Sequence, residues 1–291
     1  MKRLTYYSGL MLISMGFFAC ESNQVIEEET ISQEVLTRLT DLGFDVENQA
    51  PIPFEDGYLV EGDIYLTDYD LAHMNSGKRL PVEEQYSTDN LVSTNGSRTI
   101  TVYAPEEGSG GGGNGKGKKG GGGSGGYSPA MIAGLDLAID RYNARNLEIS
   151  FQRVTNSSNA DIVMTRLSKR DERRGVLGSA GFPTASGDPY GEIKMSGVLE
   201  SSYGLSTSGI ATIIAHEMGH CIGFRHTDYF DRSISCGGSP SNEGDGGVGA
   251  NHIPGTPTGA SASAASWMLA CTDGSDRPFN NDDRTALDYL Y

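Results

Sequence analysis

Residues 216–226 read His-Glu-Met-Gly-His-Cys-Ile-Gly-Phe-Arg-His, which fills every fixed position of the pattern H-E-x-x-H-x-x-G-x-x-H. On a helix, His216 and His220 stand four residues apart and project from one face. That spacing lets two neutral imidazoles hold one zinc ion. Glu217 points round the helix from them, which puts its carboxylate beside the ion rather than on it. Gly223 gives the backbone freedom for a sharp turn, after which His226 can return as a third ligand. Three protein ligands leave a position for water, as a catalytic site requires. Histidine is scarce in this chain, with five in 291 residues, so three in one motif are not chance core histidines. A closed structural site needs a fourth ligand, and no further His or Asp stands at suitable spacing. Cys221 falls on the stripe of Ile210, Ile214 and Met218, away from the His pair.

Other segments extend the pattern. Ser266-Trp267-Met268 follows the motif, with Met268 42 residues after His226. Val176–Pro183, Tyr190–Met195 and the ending Asn281–Tyr291 flank it. Together with the motif they resemble the metzincin clan of zinc endopeptidases, and the HEMGH core is similar to the bacterial group usually written HEIGH. The resemblance covers roughly residues 99–291. It implies an α+β fold with a twisted mixed sheet, an edge strand that binds substrate, an active-site helix and a C-terminal helix. It also implies one catalytic Zn²⁺ on His216, His220 and His226, Glu217 as general base, and Met268 in a tight turn beneath the metal. Gly178, Ser179, Ala180, Gly181 and Phe182 would line the path of an extended protein or peptide substrate. The acidic calcium ligands of matrixin loops are not evident, which argues against a structural Ca²⁺. No tyrosine follows Met268 at the astacin position, so that auxiliary ligand is not carried over. A zinc hydrolase of non-peptide amides and an inactive lipoprotein binding module are the alternatives; the edge strand argues against the first, and the intact ligand set with Glu217 against the second.

The first nineteen residues read as a signal peptide. Lys2 and Arg3 precede an apolar stretch, Tyr6–Ala19, too short for an ordinary membrane span. It ends Phe17-Phe18-Ala19-Cys20, which is similar to a bacterial lipoprotein processing site with Cys20 acylated. Cleavage without lipidation is the other outcome. Either route exports the chain, as a membrane-anchored lipoprotein or a secreted protein, and membrane contact would come only through the anchor. A formal net charge of −16 argues against nucleic acid as a partner. Export permits disulfides, and Cys236–Cys271 is the favoured pairing because both lie in loop-rich sequence leading to Met268.

Residues 20–98 carry no catalytic constellation and read as an inhibitory pro-segment or an accessory region. Thr30 and Gln33 form a capping-box pattern ahead of one amphipathic helix that Gly43 stops. Tyr58–Thr67 reads as a strand. Residues 21–98 contain no cysteine, so a blocking group on the metal would be a carboxylate, His73 or the backbone itself. The carboxylates of Glu55–Asp70 are the better candidates. The catalytic region, 99–291, opens with a strand at Thr99–Ala104. A glycine-rich insertion at 108–126 follows, expected to be disordered. Ser128-Pro129 then caps a helix through Asn146. Strands are expected at Leu147–Val154, Ala160–Leu167, Val176–Pro183 and Glu192–Leu199, ahead of the histidine helix at about Ser208–Ile222.

Overall fold

A computed structural model of the chain describes residues 30–47, 49–74, 85–108, 126–244, 247–257 and 265–291. The signal peptide, Cys20 and nearly all of the glycine-rich insertion lie outside these residues. Helix α1 (Gln33–Leu42) takes Ser32 rather than Thr30 as its N-cap, because the Ser32 hydroxyl is the one that accepts from Val35 N–H. Gly43 ends it in the left-handed region. The single strand expected at Tyr58–Thr67 is instead a hairpin. Strand β1 (Ile52–Phe54) pairs with β2 (Gly57–Val60), and β2 pairs antiparallel with β3 (Ile64–Thr67). Glu61-Gly62-Asp63 forms the turn between β2 and β3. Helix α2 (Asp68–His73) follows on a capping box formed by Thr67 and Asp70.

Strand β4 (Tyr86–Ser87) begins a stretch woven into the rest of the chain. It pairs with β10 (Asn251–His252), and Thr88 N–H donates to Gly223 O. The central sheet then forms from β5 (Arg98–Tyr103), β6 (Ile149–Val154), β7 (Ile162–Arg166), β8 (Gly178–Ser179) and β9 (Glu192–Met195). Its order is β6-β5-β7-β9-β8, all pairs parallel except β8–β9. This is the mixed sheet expected, with a short antiparallel edge. Helix α3 (Pro129–Asn143) starts at the Ser128 cap with Pro129 at its first position. Helix α4 (Lys169–Arg173) precedes β8.

Helix α5 (Thr207–Ile222) carries the first two histidines and packs on α3 beneath the sheet. It is buried on all sides from Gly209 to Ile222, which is why its sequence is apolar all round rather than amphipathic. Helix α6 (Ser233–Cys236) and helix α7 (Asn281–Leu290) complete the chain, α7 starting on a capping box of Asn280 and Asp283. Among the described residues no helix is long and apolar enough to cross a membrane.

Candidate metal centre

Four of the sequence-derived positions meet where α5 ends. His216 and His220 lie one turn apart with their Nε2 atoms 3.0 Å from each other. Gly223 has φ of 106°, a left-handed cap that an L side chain rarely adopts. The chain reverses there and brings His226 back, its ring centroid 5.2 Å from that of His216 and 4.9 Å from that of His220. All three rings are buried.

Each ring is oriented from behind through Nδ1. That of His216 lies 2.8 Å from Trp267 O, that of His220 2.9 Å from Phe224 O, and that of His226 2.7 Å from a Glu243 carboxylate oxygen. An Nδ1–H that donates outward leaves Nε2 as the lone-pair nitrogen, so all three Nε2 atoms are available to one ion. Three convergent imidazoles with their rear nitrogens satisfied are the donor set zinc takes in a catalytic site. The residues fit the ion.

Trp267 and Met268 form the floor. Trp267 is buried, its indole N–H 3.2 Å from both Ala215 O and Tyr142 Oη. Met268 is fully buried against Gly219 of α5, and its carbonyl accepts from Thr227 N–H. Asp283 supports the turn from below: burial raises its carboxyl to about 7 despite hydrogen bonds that lower it. Cys236 and Cys271 are joined by a disulfide, with Cα atoms 5.1 Å apart, and Cys221 is a buried thiol.

Glu217 is buried beside the triad with one carboxylate oxygen lacking any hydrogen-bond partner. Burial first, and the nearby Asp63 second, push its carboxyl well above the usual range. It faces Gly178 of β8 so closely that a Cβ there would overlap its carboxylate. Of the proposed substrate-lining residues, only Gly178 and Ser179 belong to a strand. Gly181 turns against Tyr190, and the Phe182 ring stands edge-on to His220 at 5.5 Å. A cavity of about 210 Å³ opens beside His216 and Glu217, walled by Leu177, Ile213 and Leu269.

Two carboxylates complete the centre. Asp63, from the turn before β3, places Oδ2 3.1 Å from His226 Nε2 and 3.4 Å from His216 Nε2. With the three histidines it forms a buried group spaced to hold one metal ion. Burial would raise its carboxyl, but His226 and His216 outweigh that and hold it well below the ordinary range. Its other oxygen is buried without a hydrogen-bond partner. The carboxylates of Glu55–Asp70 were the ones expected near the metal, and the turn between β2 and β3 is what brings Asp63 of that stretch to the three histidines. Beside it, Tyr65 N–H donates to Ala180 O and Ala180 N–H donates to Asp63 O, each at 3.1 Å. The residues just after β8 are therefore already paired, in parallel, with β3. Glu243 was not singled out in the sequence at all, since it stands in glycine- and serine-rich loop with no periodicity.

No curated protein matches the chain. Two solved structures of myroilysin are similar at 13% and 14% identity, over 69% and 76% of this chain and 96% and 95% of theirs, with TM-scores of 0.36 and 0.35. The family of dual-action HEIGH metallo-peptidases matches residues 58–291, a span that takes in the hairpin carrying Asp63 as well as the histidine helix. The chain therefore belongs to the HEIGH metallopeptidases, and the ion its three histidines fit is the zinc of a metallopeptidase.

Proposed function

We propose that the chain is an exported zinc endopeptidase made in a latent form. The observation that carries the catalytic part is the convergence of three Nε2 atoms on one point with the unpartnered carboxylate of Glu217 beside it. Zinc bound there supplies Lewis acidity and acidifies water. Glu217 takes the proton of the attacking water and returns it to the leaving amine. Its buried position and raised proton affinity suit a group that must both accept and release. A substrate main chain pairs with the edge at Gly178–Ala180, and a side chain next to the cut bond enters the cavity beside His216. Gly181 and Phe182 shape the far end of that path.

Latency rests on residues up to Met74. Asp63 occupies the face of the triad that water needs, and β3 occupies the edge that a substrate needs. Residues 85–98, in contrast, are bonded into the catalytic body through β4, Thr88 and the start of β5. The positive n-region, the apolar stretch and Cys20 support export, with a lipid anchor at Cys20 as the membrane-bound form.

The test is zinc content and hydrolysis of an unfolded protein by full-length chain, before and after limited proteolysis, against Glu217→Gln. Removing the proton acceptor but no ligand lowers turnover by at least ~10²-fold with zinc retained. Undiminished turnover in the zinc-loaded variant would remove Glu217 from the mechanism.

A further inference from the structure

His216 and His220 are set by the rigid backbone of α5, but His226 is not. It stands three residues past the helix cap, at the head of a long segment whose only described regular elements are the four-residue α6 and the two-residue β10. Something other than secondary structure must fix its ring. The loop doubles back to do so: Arg232 N–H donates to Ser241 O at 2.8 Å, and Glu243 N–H donates to Tyr229 O at 2.7 Å. That return delivers Glu243, seventeen residues on, to His226 Nδ1 at 2.7 Å. Both side chains have zero exposure.

A carboxylate taken out of water must be neutralised. Arg232 donates to the same Glu243 oxygen, and the Arg225 guanidinium lies 3.5 Å from the other. Arg225 is anchored in turn on the Gly244 and Gly249 carbonyls. One carboxylate oxygen thus meets both the His226 imidazole and the Arg232 guanidinium, and the other lies within ion-pair reach of Arg225. The three histidines also differ in kind. His216 and His220 have neutral carbonyls behind them, whereas His226 has an anion. An anionic acceptor fixes the tautomer more firmly and makes the opposite nitrogen a stronger donor to a metal.

We propose that Glu243 is the positioning residue for His226: its buried carboxylate locks the ring with Nε2 towards the ion, and Arg225 and Arg232 hold that carboxylate in place. The least constrained ligand in the backbone is thereby the most constrained through its side chain. This rests on the three-histidine reading of the zinc site.

The experiment measures zinc affinity of the full-length chain by competition with a chromophoric chelator. Glu243→Gln and Glu243→Ala are compared with wild type, each also in a His226→Ala background. Cobalt-substituted samples supply the visible spectrum as a second readout. Glu243→Ala is expected to weaken binding about 10- to 100-fold. Glu243→Gln keeps an acceptor of the same shape without the charge and should fall between. In the His226→Ala background neither change should weaken binding further, because the residue acts through that ring. If Glu243→Ala leaves the two arginines uncompensated and the chain fails to fold, the cycle is read with Glu243→Gln. Wild-type affinity and an unchanged cobalt spectrum in the Glu243 variants would overturn the proposal, as would equal losses in both backgrounds. If His226→Ala alone does not weaken zinc binding, it is the ligand assignment that fails, and the proposal with it.

Discussion

Replacing Asp63 with alanine in the full-length, zinc-loaded chain should raise its peptidase activity, if the chain is latent as proposed. The side chain makes close polar contacts with His226 and His216 in a buried setting. In the zinc-loaded chain both Nε2 atoms would be given to the ion and the carboxylate would face that ion; taken at the scale of one polar contact to a charged group, this is about 1.5–3 kcal/mol net. Each 1.4 kcal/mol is roughly tenfold in an equilibrium. Losing the carboxylate should therefore raise the open fraction, and with it the rate of peptide hydrolysis, by about 10- to 100-fold. Activation stays partial because the two backbone bonds that Ala180 makes, with Tyr65 of β3 and with residue 63 just before it, remain at about 1 kcal/mol each. The assay is hydrolysis of a quenched fluorogenic peptide by wild type, Asp63→Ala and Asp63→Ala with Glu217→Gln, at matched zinc occupancy and with circular dichroism to confirm folding. The triple comparison separates released activity from contamination. A folded, zinc-loaded Asp63→Ala protein no faster than wild type would refute the carboxylate as the block.

Further outcomes follow from the same geometry. Gly178→Val puts a side chain into the space of the Glu217 carboxylate and should cost at least ~10²-fold in hydrolysis while zinc stays bound; normal turnover would mean that β8 yields there. Asp283 is held by burial with its proton affinity raised to about 7, above its value near 3.9 in an unfolded chain. Its contribution to stability is therefore full below about pH 4 and lost as pH rises through 7. Asp283→Asn should flatten that part of the Tm profile, and an unchanged profile would sink the assignment. Cys271→Ser opens a loop of 35 residues and should lower stability by about 2–4 kcal/mol in denaturant unfolding. Deleting residues 110–124 should cost little, because the flanks already meet: Tyr127 N–H donates to Pro105 O and Glu107 N–H to Tyr127 O. Loss of both folding and activity on deletion would contradict this.

The histidine helix and its glycine cap were legible because their information is local, whereas the methionine turn came from the family resemblance. A four-residue period, a positive-φ glycine and a capping serine each act over one or two turns. The strands of the central sheet were found for the same reason, to within two or three residues at most ends. What escaped was set by distant partners. The edge segment Val176–Pro183 forms ladder only at Gly178 and Ser179, because the chain beyond them is taken up by β3 and by packing on Tyr190. Tyr58–Thr67 alternated as one strand, and only the folded hairpin put Glu61-Gly62-Asp63 at a turn. Residues 55–70 hold six acidic side chains, Glu55 and Asp70 included, and nothing in their spacing distinguishes Asp63. Glu243 reaches His226 through a returning loop that leaves no periodic trace.

Strand β3 is also the outer member of a small sheet with its own packed interior, in which Leu39, Leu42, Val60, Ile64 and Leu66 lie together. If this segment blocks the cleft as we propose, its packed interior would make it leave as one body rather than peel off residue by residue. A cut between Met74 and Gln85 would therefore nick the chain without emptying the cleft. What changes is the molecularity. A tethered inhibitor acts at an effective concentration in the millimolar range, whereas a severed one must find the enzyme again from solution. On that proposal dilution would complete what the cut begins: a nicked molecule would stay silent where it is crowded with its own fragment and become active as the two drift apart.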